Sequence, residues 1–158
     1  MDSVPTVTRR FRAPLGFQPC KIDSTGRLKL PSAYQEYLKQ LGDPYLFVTE
    51  VKGMARVFTN GSWERTVAKM DGDPDYKKRF TLRAEAIGCD VDVDPQGRVT
   101  LPQNLRRELQ LEDQQVQLRF YEDVITIYSQ EQYATEVGRA KERKLADEDR
   151  LESLGINL

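Results

Sequence analysis

The sequence predicts an α+β fold in which two copies of one small unit share a core. Three observations carry this. The string Asp-x-x-Gly-Arg-x-x-Leu-Pro occurs twice, in "CKIDSTGRLKLP" (20–31) and in "VDVDPQGRVTLP" (91–102). The two copies stay in step well beyond the string. Each copy, at roughly 50 residues, is too short to make a good core alone, so the halves must pack together. At an offset of 71, Asp94 falls on Asp23, Gly97 on Gly26, Arg98 on Arg27, Leu101 on Leu30, Pro102 on Pro31 and Leu109 on Leu38. Further on, "FTNGSWERTV" (58–67) aligns with "YSQEQYATEV" (128–137) at an offset of 70, which puts Tyr133 where Trp63 stands. One residue of slip over that distance amounts to one small loop deletion.

Each copy reads the same way locally. "CKID" and "DVDVD" alternate apolar and polar residues as half-buried strands do, and "RLKL" and "RVTL" resume the alternation after a hairpin-like turn. In the turns Asp23 and Asp94 are placed to accept backbone N–H bonds, Pro95 presets the second position, and Gly26 and Gly97 supply the residue most tolerant of a left-handed conformation. Pro31 and Pro102 then stop the strands and stand at first positions of helices, where a missing N–H costs little. The first helix puts Tyr34, Tyr37, Leu38 and Leu41 on one face and ends at Gly42; the second is "PQNLRRELQL". Two strand pairs follow in the same relation, "YLFVTE" with "ARVFT" and "QVQLRFY" with "VITIYS", all rich in β-branched and aromatic residues. The unit is therefore strand, turn, strand, helix, strand, strand.

Between the copies, "KMDGDPDY" (69–76) is a linker dense in Asp, Gly and Pro, and "KKRFTLRAEAIG" is a helix running into Gly88. The stretch "EQYATEVGRAKERKLADEDRLESL" is helix-prone, with Ser129 and Gln132 placed for a capping box. Its mixed charges read as a solvated face, with an oligomer contact as the sharper alternative. The resulting division is an N-terminal extension (1–16), a first unit (17–63), a linker and helix (64–87), a second unit (88–131) and a C-terminal helix and tail (132–158).

Composition narrows the function. Charged residues make up 31% and apolar residues 39% of 158, and no apolar run approaches the roughly 20 residues of a membrane-spanning helix, so a soluble protein without a membrane partner is expected. The N-terminal stretch has arginines but no apolar segment ahead of a cleavage site, and the expected location is the cytoplasm. Cys20 and Cys89, with no histidine in the chain, make neither a disulfide framework nor a zinc site; two buried, reduced thiols are expected. The missing histidine also removes the commonest general base and metal ligand, and no catalytic residue is assigned. "DVDVD" puts Asp90, Asp92 and Asp94 on one strand face, where a hard cation is conceivable. As a calcium loop it fails, because Pro95 stands where the glycine belongs and Leu101 where the bidentate Glu belongs. Neither metal nor cofactor is expected. With a net charge of −1 and a pI near 5.6, any DNA binding must come from a local patch of Lys and Arg.

Two Asp-x-x-Gly-Arg turns about 70 residues apart, each followed by an alternating strand, Pro and a helix, closely resemble the MraZ family of bacterial transcription regulators over residues 17–137. The resemblance implies that each half is a swapped-hairpin module of the SpoVT and AbrB type, and that the two halves form a pseudo-two-fold duplicated β-barrel with flanking helices. It further implies assembly with itself into a ring of octamer size or larger, binding of double-stranded DNA at direct repeats upstream of its own division and cell-wall operon, and association with the nucleoid. The family's Asp and Arg motif positions fall on Asp23 and Arg27, and on Asp94 and Arg98. Three departures stand out. Thr25 replaces a Lys often found before the first motif glycine, an extension with Arg9, Arg10 and Arg12 precedes the family's start, and "RFYED" replaces the usual small residue between the last strands.

A two-stranded ribbon is narrow enough for the major groove, and a guanidinium at its tip can donate a bidentate pair to guanine O6 and N7 or fork onto phosphate. Arg27 and Arg98 are the candidate DNA-reading residues, Lys21 and Lys29 the supporting charges, and Asp23, Gly26, Asp94 and Gly97 the residues that shape and orient the turns. Arg83 and the N-terminal arginines are further candidates. The competing readings are that each Arg only pairs with its Asp to stiffen a turn, and that the barrel serves an assembly protein with no nucleic-acid role.

Overall fold

The strands that flank each repeated turn part company after it and find their partners in the other copy. In the computed structural model, which describes residues 11–158, β1 (Phe17–Lys21) leads into the first turn and β2 (Arg27–Lys29) leaves it; β5 (Cys89–Val91) and β6 (Arg98–Thr100) do the same in the second copy. The expectations placed on Arg9 and Arg10 lie outside the described residues. Each hairpin closes on itself only at its base, the Asp23 N–H donating to Arg27 C=O at 3.0 Å beside the Ile22–Leu28 bridge in the first, and the Asp94 N–H donating to Arg98 C=O at 2.9 Å in the second. Beyond it, β2 pairs antiparallel with β6, as Arg27 with Thr100, Leu28 with Val99 and Lys29 with Arg98. The Leu30 N–H donates to Gly97 C=O and the Leu101 N–H to Gly26 C=O, both at 2.9 Å, so each turn is tied to the strand end of the other copy.

The second sheet repeats the exchange. The remaining strands are β3 (Leu46–Val51), β4 (Met54–Thr59), β7 (Gln115–Tyr121) and β8 (Val124–Ser129). With β1 and β5 they form one antiparallel sheet in the order β1-β7-β8-β4-β3-β5. Under the sequence offset this order is symmetric about the β8–β4 pair. β1 pairs with β7 of the other copy, and β5 pairs with β3 of the other copy. The fold is thus α+β, with a six-stranded and a two-stranded antiparallel sheet and six α-helices among the described residues. These pairings leave β1 and β5 as outer strands, and no closed ring of strands is formed by them.

The helices follow their caps. The first, α1 (Ser32–Leu41), begins one residue after Pro31 and stops where Gly42 turns left-handed at φ 68°. The fourth, α4 (Gln103–Leu109), begins one residue after Pro102. The prolines therefore stand just before the helices rather than at their first positions, with the extended ψ their ring favours. Two helices cover the first copy's half of the sheet. One is α2 (Asn60–Ala68), capped by the Thr59 hydroxyl accepting from Ser62 N–H, and the other is α3 (Pro74–Ile87), capped by Asp73. The helix after the linker thus starts at Pro74, inside the stretch read as linker. On the other half lies α5 (Gln130–Glu142), with the expected capping box between Ser129 and Gln132. The chain then continues through α6 (Lys144–Asp149) and a 3₁₀ turn (Glu152–Leu154).

Aromatic contacts show the offset of 70 at work in packing. Trp63 of α2 sits between Phe47 and Phe58, with ring centroids 4.7 and 5.0 Å away, and Tyr133 of α5 sits 4.8 Å from Phe17, which in turn lies 5.3 Å from Tyr128. On the other side of the sheets, Leu28, Val99, Leu30, Leu101, Tyr34 and Leu105 are at most 1% exposed and join Leu118, Ile125 and Ile127 in one core. Tyr34 and Leu105 occupy equivalent positions; the Tyr34 hydroxyl reaches Leu118 C=O at 3.3 Å, which satisfies the polar atom its larger ring brings inside. The thiols depart from expectation. Cys20 is half-buried, its Sγ 3.0 Å from Lys29 C=O, whereas Cys89 is exposed because β5 is an edge strand too short to cover it.

Because the core is shared, a cavity in the second copy should unfold the first with it. Leu105→Ala is expected to lower the unfolding free energy by about 2–5 kcal/mol in a single denaturant transition. A loss under about 1 kcal/mol, or two separate transitions, would contradict the shared core.

Candidate nucleic-acid interface

Both turns are built around a carboxylate. Asp23 Oδ1 accepts the Thr25 and Arg27 N–H groups at 2.9 Å each and the Thr25 hydroxyl at 2.7 Å, while Asp23 Oδ2 accepts Arg27 Nε–H at 3.1 Å. In the second turn Asp94 Oδ1 accepts the Gln96 and Arg98 N–H groups at 2.9 and 2.8 Å, and Oδ2 accepts Arg98 Nε–H at 2.9 Å. One oxygen organises the backbone and the other aims the side chain. Gly26 and Gly97 hold φ near +80°, a conformation that disfavours any residue with a Cβ. A Cβ would also overlap a side chain of the other copy: Arg106 over Gly26 and Gln35 over Gly97.

These hydrogen bonds hold both carboxyls well below the usual carboxylate range. For Asp23 the largest cause is the Arg27 backbone N–H, then the Thr25 hydroxyl; for Asp94 it is the Arg98 backbone N–H. A depressed folded pKa means the bonds stabilise the turns above about pH 3.9, the unfolded Asp value, and are lost as pH falls through the folded values. The Arg–Asp pairs are solvent-exposed, with side chains 40% and 41% exposed in the first turn and 28% and 34% in the second, so their consequence is orientation more than stability. Since each Asp takes Nε, the two Nη groups at the end of each guanidinium have no hydrogen bond among the described residues.

The β2–β6 register decides where these groups point. Leu28 and Val99 face the core at 0% exposure, so their neighbours Arg27, Lys29, Arg98 and Thr100 share the outer face of the ribbon. Lys29 lies directly across from Arg98, and Thr100, its equivalent in the other copy, directly across from Arg27. The structure therefore brings Arg27, Arg98 and Lys29 together on one face. Lys21 lies apart from them, on β1, with Nζ 3.7 Å from Asp113. Arg83 is exposed on α3 and Arg12 is exposed ahead of β1. Asp94 is committed to its turn, and among the described residues no group of three or more His, Cys, Asp or Glu side chains is arranged to hold a metal.

Two supporting residues escaped the motif-based reading. Arg106 and Gln35 are equivalent under the offset of 71, and each lies on the turn glycine of the opposite copy. Gln35 donates to Leu30 C=O at 2.8 Å, while Arg106 reaches Glu112 at 3.4 Å and its Nε has no acceptor among the described residues. The sequence signal was present in their common position one turn into the helix after the proline.

A carboxyl-detected NMR titration tests the turn design. Asp23 and Asp94 are expected to titrate below the ordinary carboxylate range, and Asp23 should remain depressed in Arg27→Ala because the residue 27 amide still donates to it. Ordinary titration in the parent, or full reversion in Arg27→Ala, would contradict the assigned cause.

Known proteins resemble this chain in sequence. The family model described as "MraZ protein, putative antitoxin-like" matches residues 88–152, the second copy and the helices after it. A protein of Acidobacterium capsulatum named "Transcriptional regulator MraZ" is 34% identical over 100 residues, 61% of this chain and 68% of that protein. A second of the same name, from Koribacter versatilis, is 28% identical over 146 residues, 89% of this chain and 98% of that one. A third, from Lachnoclostridium phytofermentans, is 30% identical over 93 residues, covering 58% and 64%. With its doubled Asp-x-x-Gly-Arg turns and relatives matched across both copies, the chain belongs to the MraZ family.

Proposed function

We propose that this protein is a transcription regulator that binds double-stranded DNA through the outer face of the β2–β6 ribbon, with Arg27 and Arg98 as the reading residues and Lys29 as an added phosphate contact. The observation that carries this reading is the pairing of Leu28 with Val99, which turns Arg27, Lys29 and Arg98 outward together while Asp23 and Asp94 hold each Nε. A guanidinium fixed at Nε with its Nη groups open matches the fork needed for guanine or phosphate. Lys21, tied to Asp113, contributes less. The named transcriptional regulators among the relatives support the regulatory role, and the expected targets are direct repeats upstream of the protein's own division and cell-wall operon.

The finer readings rest on the same features. Exchange of β1, β2, β5 and β6 between copies supports a swapped-hairpin barrel, with residues 17–63 and 88–131 as its two modules. A ring of such subunits on tandem repeats answers the low net charge, because avidity multiplies a few contacts per subunit when spacings match. Cytoplasmic location and nucleoid association follow from that role. The alternative, an assembly protein of the same fold with no nucleic-acid role, is favoured only if the parent fails to bind.

Fluorescence anisotropy with the upstream DNA across a salt series separates these. Arg27→Ala and Arg98→Ala are each expected to weaken binding by about 1–3 kcal/mol per site where a base is read, and Lys29→Ala to lower the salt slope by about one unit. Unchanged binding in both arginine variants would remove them from the interface, and no parent binding at low salt would favour the assembly reading.

A further inference from the structure

A groove of about 900 Å³ runs over the face of the central strands β4 and β8 turned away from the shared core, walled by α2 and the end of β7. Its floor is a cross-strand row in which Arg119 pairs with Thr126, and Thr126 with Arg56. Arg56 is held only by neutral acceptors, Val51 C=O at 3.1 Å and the Thr126 hydroxyl at 3.2 Å among its oxygen partners, and burial lowers its pKa. Arg119 stacks on Tyr121 at 4.4 Å. Neither has a carboxylate within 4 Å among the described residues. With Lys52, Arg65 and Lys69 the groove holds five cations against two acids, Glu122 and Asp123, and Asp123 is already engaged by Arg65 at 3.4 Å. Arg56 feels the carboxylates of Glu50 and Glu136 from beyond contact distance, which partly oppose the effect of its burial. Half-buried cations that no carboxylate contacts gain from an anionic partner that brings its own desolvated surface.

A matching element lies unused elsewhere in the same chain. Every residue from 144 to 150 is exposed, and Leu145, Leu154 and Ile156 are 78%, 63% and 41% exposed. A helical segment that covers nothing yet shows these side chains to water is an interaction element in want of a surface. Residues 144–154 carry four acids, Asp147, Glu148, Asp149 and Glu152, against two cations. The groove offers both complements: arginines that no carboxylate contacts for the acids, and the exposed Tyr121 ring with Val124 for the leucines.

We propose that residues 144–158 of a second copy of this chain dock in the groove over β4 and β8, their acids meeting Arg56, Arg119 and Lys69. The contact gives the ring reading a seat and rests on no DNA contact. Nucleic acid in the groove would satisfy the arginines but leave Leu145 and Leu154 uncovered, which is why a protein segment is favoured.

The test is the mass of the full chain by sedimentation, across concentration and salt. The parent is expected to assemble at low salt and to dissociate toward 1 M, where the Debye length falls from about 10 to about 3 Å. A groove variant, Lys69→Glu with Arg119→Glu, and a tail variant, Asp147→Lys with Asp149→Lys, should each stay monomeric where the parent is assembled. An equimolar mixture of the two should regain assembly, because each reversed groove then meets a reversed tail. The tail variant keeps the test decisive if the groove variant fails to fold, since its two positions lie outside the core. Tail or groove variants that assemble like the parent would overturn this seat while leaving a ring standing. A parent that stays monomeric throughout would overturn both, and a mixture that fails to assemble would show the two surfaces are not partners.

Discussion

The pairing of β2 with β6 is the constraint on which the molecule depends. Each is only three residues long, too short to persist as half of an isolated hairpin, and each finds its partner in the other copy. The same exchange places β1 on β7 and β5 on β3, so neither copy can complete its sheets by itself. Duplication within one chain makes this interlock intramolecular, and the two turns cannot move apart without opening the core that Leu28, Val99, Leu30 and Leu101 form.

That constraint holds each turn from both copies at once. Each turn is tied twice: by its own aspartate, which organises three or four donors, and by a backbone bond from the other copy's leucine to the turn glycine. The arginines inherit their direction from this arrangement. Hydrogen bonds to Nε leave the outer edge of each guanidinium available and limit its rotamers, so less side-chain freedom remains to be lost when an anion or base edge is met. The fold places its few relevant charges on one face, and the acidic residues elsewhere in the chain, screened by salt, leave that local field largely intact.

Much of this was legible in the residues. Alternation, the two Asp-x-x-Gly-Arg turns, the Pro that ends each strand and the Ser129–Gln132 box all act within a few positions, and the offsets of 71 and 70 reappear as matched burial of Leu30 with Leu101 and as aromatic contacts made by both Trp63 and Tyr133, though with non-equivalent partners. What local pattern did not carry was partnership. Nothing in "RLKL" says that it pairs with "RVTL" rather than with "CKID", because period-two alternation fixes which face a strand buries and not which strand lies beside it. The short helix α2 was hidden because "NGSWERTVA" opens with Asn and Gly, poor helix formers whose cost is met by the Thr59 cap and by Trp63 on the sheet. Exposure of Cys89 likewise depends on β5 being an edge, which is a property of the sheet and not of the cysteine.

In the proposed complex the interlock presents two arginines to one ligand at the same time. Side-chain Nε–H resonances of Arg27 and Arg98 report on this directly, because each proton is sequestered by its aspartate and should be visible without ligand. On titration with the upstream DNA, both signals are predicted to shift together, saturate at the same DNA ratio and remain protected, since binding uses the Nη edge and leaves the aspartate bond in place. Movement of one signal alone, or of neither while DNA binds, would contradict the account.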